Sequence, residues 1–267
     1  MNRIQIKWKE LKEKGEKAFI PFIMTGDPSW EITHRLIWEF EKIGVDFLEL
    51  GVPFSDPIAD GPVIQSSAQR ALMQDITLKK ILGFVKELRR EGITLPLLLL
   101  SYYNPIYSLG IKEFVERAKE AGVDGVIIPD LPPEESEELL KEGDKREFYP
   151  IFLVAPTTSL SRLKKIKNFI RGFVYCVSVT GVTGIRDKLG TRLRERVEEI
   201  KSLLKTPVAV GFGISTPEMA KWVAEFADGV IVGSAIIKII QEKENPAEII
   251  ENVKSFSLSL MKAMGKI

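Results

Sequence analysis

The chain has 267 residues, 45% of them hydrophobic, with 38 lysines and arginines against 37 aspartates and glutamates and a formal net charge of +1. That balance creates no global field to attract nucleic acid or a membrane surface, and no segment reaches the roughly 18 uninterrupted apolar residues of a membrane span. Cys176 is the one cysteine, so no internal disulfide can form and a reducing, cytoplasmic location is expected.

In chain order, the first segment (about 3–14) is amphipathic and highly charged. It lacks the apolar stretch of a signal peptide, and its acidic residues argue against a transit peptide. It reads as an extra helix capping the bottom of the fold. Short apolar runs then alternate with helical patterns. The runs are AFIPFIMTG (18–26), DFLELG (46–51), LPLLLLSY (95–102), DGVIIPD (124–130), FYPIFLVA (148–155), GFVYCVS (172–178), PVAVGFG (207–213) and DGVIVGS (228–234). Near-continuous apolarity predicts strands covered on both faces, as in a parallel sheet.

Between them, WEITHRLIWEFEKIG (30–44), IKEFVERAKEAG, PEESEELLKEG, TRLRERVEEIKSLL and PEMAKWVAEFA place apolar residues at helical spacing. Several end on glycine. KIGVDF, EAGVDGV and EFADGV repeat one helix-to-strand turn. The connection after the second strand is long enough for two helices, around 62–74 and 78–91, and the stretch after 235 also reads as doubled. A doubly wound sheet would want a Gly-rich fingerprint after its first strand, where MTGDPSW stands instead. The expectation is an α/β fold: one (β/α)8 TIM barrel domain over 1–267, with an extra N-terminal helix and additional helices after strands 2 and 8.

Active sites of such barrels gather at the C-terminal ends of the strands. Standing there are Thr25, Asp27, Glu49, Tyr102, Asn104, Asp130, Thr157, Ser178, Thr180, Gly211, Gly213, Gly233 and Ser234. No lysine stands at a strand end, which argues against a Schiff-base aldolase. The one histidine, His34, lies inside a helix and reads as a surface or packing residue, and no His/Cys/carboxylate cluster suggests a metal.

Glu49 has two readings. It could point outward to a lysine of a neighbouring helix. It also lies on the same side as Phe47, between Leu48 and Leu50; facing apolar neighbours there, its pKa would rise into the range useful for acid–base work. Asp60 could cap a helix, but Pro62 suits the first helical position, which puts Gly61 in the capping place and leaves Asp60 freer. Asp56 precedes Pro57 and fits a turn. Tyr175 is either core filler or a pocket wall.

Gly211-Phe212-Gly213 ends strand 7, followed by Ser215 and Glu218 at capping-box spacing, and Gly233-Ser234 runs straight into a helix. Glycines admit backbone N–H groups to an anion, and a helix N-terminus adds favourable partial charge, so these two turns predict a phosphate site. The alternative is simple turn glycine. The polar loop 179–190, VTGVTGIRDKLG, reads either as a lid or as a merely flexible loop, and Thr183-Gly184 could reach the same phosphate.

LELGVPFSDPIADGPVIQ, YYNPI, DGVIIPDLPPEES, GVTG and GFGIS…GSAI, in that order along nearly the whole chain, resemble the tryptophan synthase alpha subunit family. The resemblance implies retro-aldol cleavage of indole-3-glycerol phosphate to indole and glyceraldehyde 3-phosphate. It implies Glu49 as general acid and base, and Asp60 as the carboxylate stabilising charge on the indole nitrogen. It further implies Phe22, Leu100, Tyr175 and Phe212 around the indole and propanol portion, with Gly184, Gly213, Gly233 and Ser234 on the phosphate. No cofactor is implied for this chain. The implied partner is a pyridoxal-phosphate beta subunit in an alpha2beta2 heterotetramer, contacted near 53–60, Asn104-Pro105 and Pro132-Pro133. The competing readings are another phosphate-binding barrel, such as a sugar-phosphate isomerase or epimerase, and a non-catalytic regulatory barrel.

Overall fold

The computed structural model describes residues 2–177, 188–211 and 213–267. Its elements run α1 (Arg3–Lys14), β1 (Ala18–Met24), α2 (Trp30–Ile43), β2 (Leu48–Gly51), α3 (Pro62–Leu72), α4 (Leu78–Glu91), β3 (Leu97–Leu100), α5 (Tyr103–Leu109), α6 (Ile111–Ala121) and β4 (Gly125–Ile127). They continue with α7 (Glu137–Asp144), β5 (Tyr149–Val154), α8 (Leu160–Ile166), β6 (Val174–Val177), α9 (Lys188–Leu204), β7 (Val208–Gly211), α10 (Pro217–Ala224), β8 (Gly229–Val232), α11 (Ser234–Gln241) and α12 (Pro246–Ala263). The eight strands pair in parallel, each with the next, and β8 pairs with β1 to close the barrel.

Strand residues alternate between two cores, because successive side chains leave a strand on opposite faces. Phe47, Leu98 and Ile231 point into the barrel, while Leu48, Leu97 and Val232 face the helices. Both sides are dry, and all seven residues of β1 are buried. This is why the runs read as continuously apolar. The paired strands are shorter than the apolar runs. DGVIIPD, for example, contributes only Gly125–Ile127, because its ends turn into the connections.

The N-terminal helix does cap the bottom. Asn2 caps α1 by accepting from the Ile4 amide. Trp8 then packs into the barrel floor, 5.0 Å from the Phe47 ring and 5.5 Å from Phe173. The extra helices after β2 and β8 are also present, as α3 with α4 and α11 with α12. α5 is an addition to the sequence expectation: its seven residues carry a proline in the first turn, and Asp130 Oδ1 accepts from the Tyr103 amide at 2.9 Å in place of a local cap.

The repeated helix-to-strand turn has a structural cause. Gly44 and Gly122 take left-handed conformations after α2 and α6, with φ of 79° and 90°. Two residues later an aspartate sits at the base of the next strand and accepts an amide at the start of the preceding strand. Asp46 takes the Phe19 N–H at 2.7 Å and Asp124 takes the Leu97 N–H at 3.0 Å. After α10, Asp228 takes the Val208 N–H at 2.9 Å. Each carboxylate also has a cation: Lys266 at 3.1 Å, Arg89 at 3.0 Å and Lys201 at 2.7 Å respectively. Three sites around the barrel bottom are thus clamped by one device.

Candidate active site

At the opposite end, the C-terminal mouth opens on a cavity of about 530 Å³. Phe22, Glu49, Leu100, Leu153 and Tyr175 form its inner wall from five strands. Asp60 reaches it from the loop ahead of α3, and Gly213, Gly233 and Ser234 line it beyond β7 and β8. Eight of the residues singled out in the sequence therefore converge on one space. Thr183, Gly184 and Phe212 lie outside the described residues, as do Ser178 and Thr180 and the segment 179–190 except its last three residues, which open α9.

Glu49 points inward, as its parity with Phe47 requires. It is fully buried, and among the described residues neither carboxyl oxygen has a hydrogen-bond partner. Burial alone raises its pKa well above the ordinary 4.5, which favours the neutral acid. An outward salt bridge would have left it ionised. Tyr175 shares the cavity, and its phenol is raised well above the usual range by burial and then by the charges of Glu49 and Asp60.

Two glycines make room for the aromatic wall. A Cβ on Gly51 would lie 2.7 Å from Phe22 Cζ, and one on Gly211 would lie 2.6 Å from the Tyr175 hydroxyl. Each ring leans over the end of the neighbouring strand.

Asp60 is half-buried. Gly61 occupies the capping position of α3 and Pro62 its first turn, so Asp60 is released from capping. Its Oδ2 accepts from Tyr102 Oη at 3.0 Å. Burial raises its pKa and the Tyr102 hydrogen bond works against the rise. Asp56 serves its own turn, with the Ile58 amide on its carbonyl at 2.9 Å. Asp27 is taken up elsewhere: Arg70 holds it through Nε at 2.7 Å and Nη2 at 2.6 Å, which ties the end of β1 to α3. Asn104 and Thr157 are exposed outside the cavity lining. His34 bonds Glu91 at 2.6 Å on the surface between helices.

The glycine turns beyond β7 and β8 shape the far end. Gly213 has φ 78°, a conformation costly for any residue with a Cβ. Gly233 precedes α11 directly, leaving first-turn amides of Ser234 and Ala235 without helical acceptors. The cap of α10 is Thr216, whose Oγ1 accepts from Met219, and not Ser215 as the capping-box spacing suggests; Pro217 starts the helix one residue later. Ile64, Lys238 and Phe256 also line the cavity, from α3, α11 and α12. Strand-end reasoning does not reach them, because they project from outer helices. Among the described residues no group of three or more His, Cys, Asp or Glu could hold a metal, and no helix is long and apolar enough to cross a membrane.

Fold and mouth together place the chain among the (β/α)8-barrel enzymes. The sequence model described as tryptophan synthase alpha chain matches residues 8–265. The tryptophan synthase alpha chain of Thermoanaerobacter pseudethanolicus is 47% identical over 262 residues, covering 98% of this chain and 99% of that one. Tryptophan synthase subunit alpha from Legionella pneumophila superposes with a TM-score of 0.90 at 39% identity, covering 100% of both chains. A chain from the tryptophan synthase a2b2 complex of Pyrococcus furiosus gives a TM-score of 0.84 at 38% identity, covering 92% of this chain and 99% of that one. The chain belongs to the tryptophan synthase alpha-chain family and is a lyase.

Proposed function

We propose that the chain, working as one barrel domain over 1–267, cleaves indole-3-glycerol phosphate to indole and glyceraldehyde 3-phosphate. The observation that carries this reading is the buried Glu49 carboxyl, without a hydrogen-bond partner among the described residues and pushed by burial toward its neutral form, facing an apolar cavity.

Indole is a poor leaving group until C3 is protonated. Glu49 gives its proton to C3, which places positive charge on the ring nitrogen. Asp60, as the carboxylate, accepts the ring N–H and stabilises that charge at a fixed position. Glu49, now ionised in an apolar site, takes the proton of the adjacent side-chain hydroxyl. The carbon–carbon bond breaks, its electron pair neutralises the ring, and the hydroxyl carbon becomes the aldehyde. Glu49 ends protonated as it began, and no cofactor enters this sequence of steps.

Phe22, Leu100, Tyr175 and Phe212 would wall the indole and propanol portion. The phosphate would sit on the amides of Gly184, Gly213, Gly233 and Ser234, with Thr183 beside it, at the N-terminus of α11. The partner is a pyridoxal-phosphate beta subunit in an alpha2beta2 assembly, meeting loop 53–60, Asn104-Pro105 and Pro132-Pro133. Ile58 in that loop and Tyr107 on α5 are 84% and 66% exposed, which suits an apolar contact face. Incubating the purified chain with indole-3-glycerol phosphate, with and without a beta subunit, tests the reading. Indole release is expected, and its absence in both arms overturns it.

A further inference from the structure

Tyr102 stands two residues past β3 and is 3% exposed. It does not line the cavity, whose wall at that point is Ala59, Asp60 and Gly61. Its ring packs against Phe54, with centroids 5.4 Å apart. Its hydroxyl makes two bonds to consecutive residues of the loop ahead of α3: it accepts from the Ala59 amide at 2.9 Å and donates to Asp60 Oδ2 at 3.0 Å. A phenol has one O–H to donate. The Ala59 N–H occupies an acceptor lobe of the oxygen and so directs the hydrogen at Asp60.

We propose that Tyr102 is the positioning residue for Asp60: it fixes the loop through Ala59, holds one carboxylate oxygen, and leaves the other to accept the ring N–H of the substrate. This deepens the reading of the site given above and rests on it. The bond has two consequences. It holds the acceptor oxygen in place before substrate arrives, where a displacement of about 1 Å can cost on the order of a hundredfold in rate. It also favours the ionised carboxylate against the burial that opposes it. Asp130 also acts on Tyr102, and Asp60 faces Tyr175, Glu49 and Lys238 around the cavity. Among the described residues, the Tyr102 hydrogen bond is what lowers the Asp60 pKa against burial.

The test is Tyr102→Phe, which keeps the ring and removes the oxygen. With indole-3-glycerol phosphate, kcat is expected to fall on the order of tenfold to a hundredfold while KM moves by less than about twofold, the pattern of an interaction made in the transition state. The acid limb of the kcat profile moves to higher pH, because Asp60 is harder to ionise. In an Asp60→Asn background the same substitution produces little further loss, since Tyr102 acts through that carboxylate. An unchanged kcat and pH profile overturns the proposal, and so does an equal loss in both backgrounds. A carbon-detected NMR titration of the Asp60 carboxyl in ligand-free protein separates this proposal from the reaction assignment. An upward shift in Tyr102→Phe supports the positioning role even if the wild-type chain releases no indole, and an unchanged titration refutes it.

Discussion

Phe22 on β1 stands in Cα register with Glu49 on β2, and its ring reaches over Gly51 at the end of that strand. The aromatic wall and the buried carboxyl are one packing unit. Gly51→Ala puts a methyl 2.7 Å from the Phe22 ring and 3.0 Å from Met24 Sδ, so the ring must move into the cavity. Overpacking of this kind costs about 1–3 kcal/mol. A lowered urea midpoint and a raised KM are the expected results.

Glu49 makes stability depend on pH in a defined sense. Its folded pKa lies well above the ordinary 4.5, so between those two values the native state holds a proton that the unfolded chain has lost. Its contribution is fully present below the ordinary value and is lost as pH rises through the folded one. Glu49→Gln removes the group that must charge. The thermal midpoint of the wild type should decline across that window relative to the variant, and parallel curves would show that the carboxyl is not shifted.

Asp60→Asn replaces a carboxylate by a neutral amide where the proposed reaction develops positive charge. The expected loss is about 3 kcal/mol of barrier, read as a fall in kcat with little change in the affinity for a phosphate-bearing product analogue. A pure affinity loss with the chemical step intact contradicts the charge-stabilising role.

At the other end of the barrel, Asp124 is 1% exposed and binds Arg89, Arg3 and the Leu97 amide. Burial already lowers the Arg89 pKa to about 10. Asp124→Ala leaves that guanidinium without its carboxylate, held only by the carbonyls of Gly122, Ile93 and Leu95, with the unpaired Leu97 amide beside it. Breaking one partner of a buried pair costs about 3–5 kcal/mol. Equilibrium unfolding should show a loss of that size, with kcat of the remaining folded protein near the wild-type value.

The parts legible in the sequence are those written locally. Strands buried on both faces leave apolar runs, and strand parity alone turns Glu49 inward with Phe47. Pro62 fixes the start of α3 and so frees Asp60. What the sequence hides is long-range pairing. The helix-to-strand repeat shows aspartates at 46, 124 and 228 but not their cations; Lys266 lies 220 residues from Asp46. Tyr102 and Asp60 are 42 residues apart, and their hydrogen bond has no trace in spacing. α5 escapes because seven residues around Pro105 carry too few turns for a helical period, and its cap comes from Asp130. Ile64, Lys238 and Phe256 enter the cavity from helices whose apolar faces read only as core.

In the proposed reaction a desolvated Glu49 moves the protons of carbon–carbon cleavage. Single-turnover release of indole from indole-3-glycerol phosphate, compared between wild type and Glu49→Gln at equal site occupancy, tests it most directly. Release is expected from the wild type and none from the variant, with phosphate-ligand binding retained in both. Indole release by the variant at a comparable rate would contradict that role of Glu49.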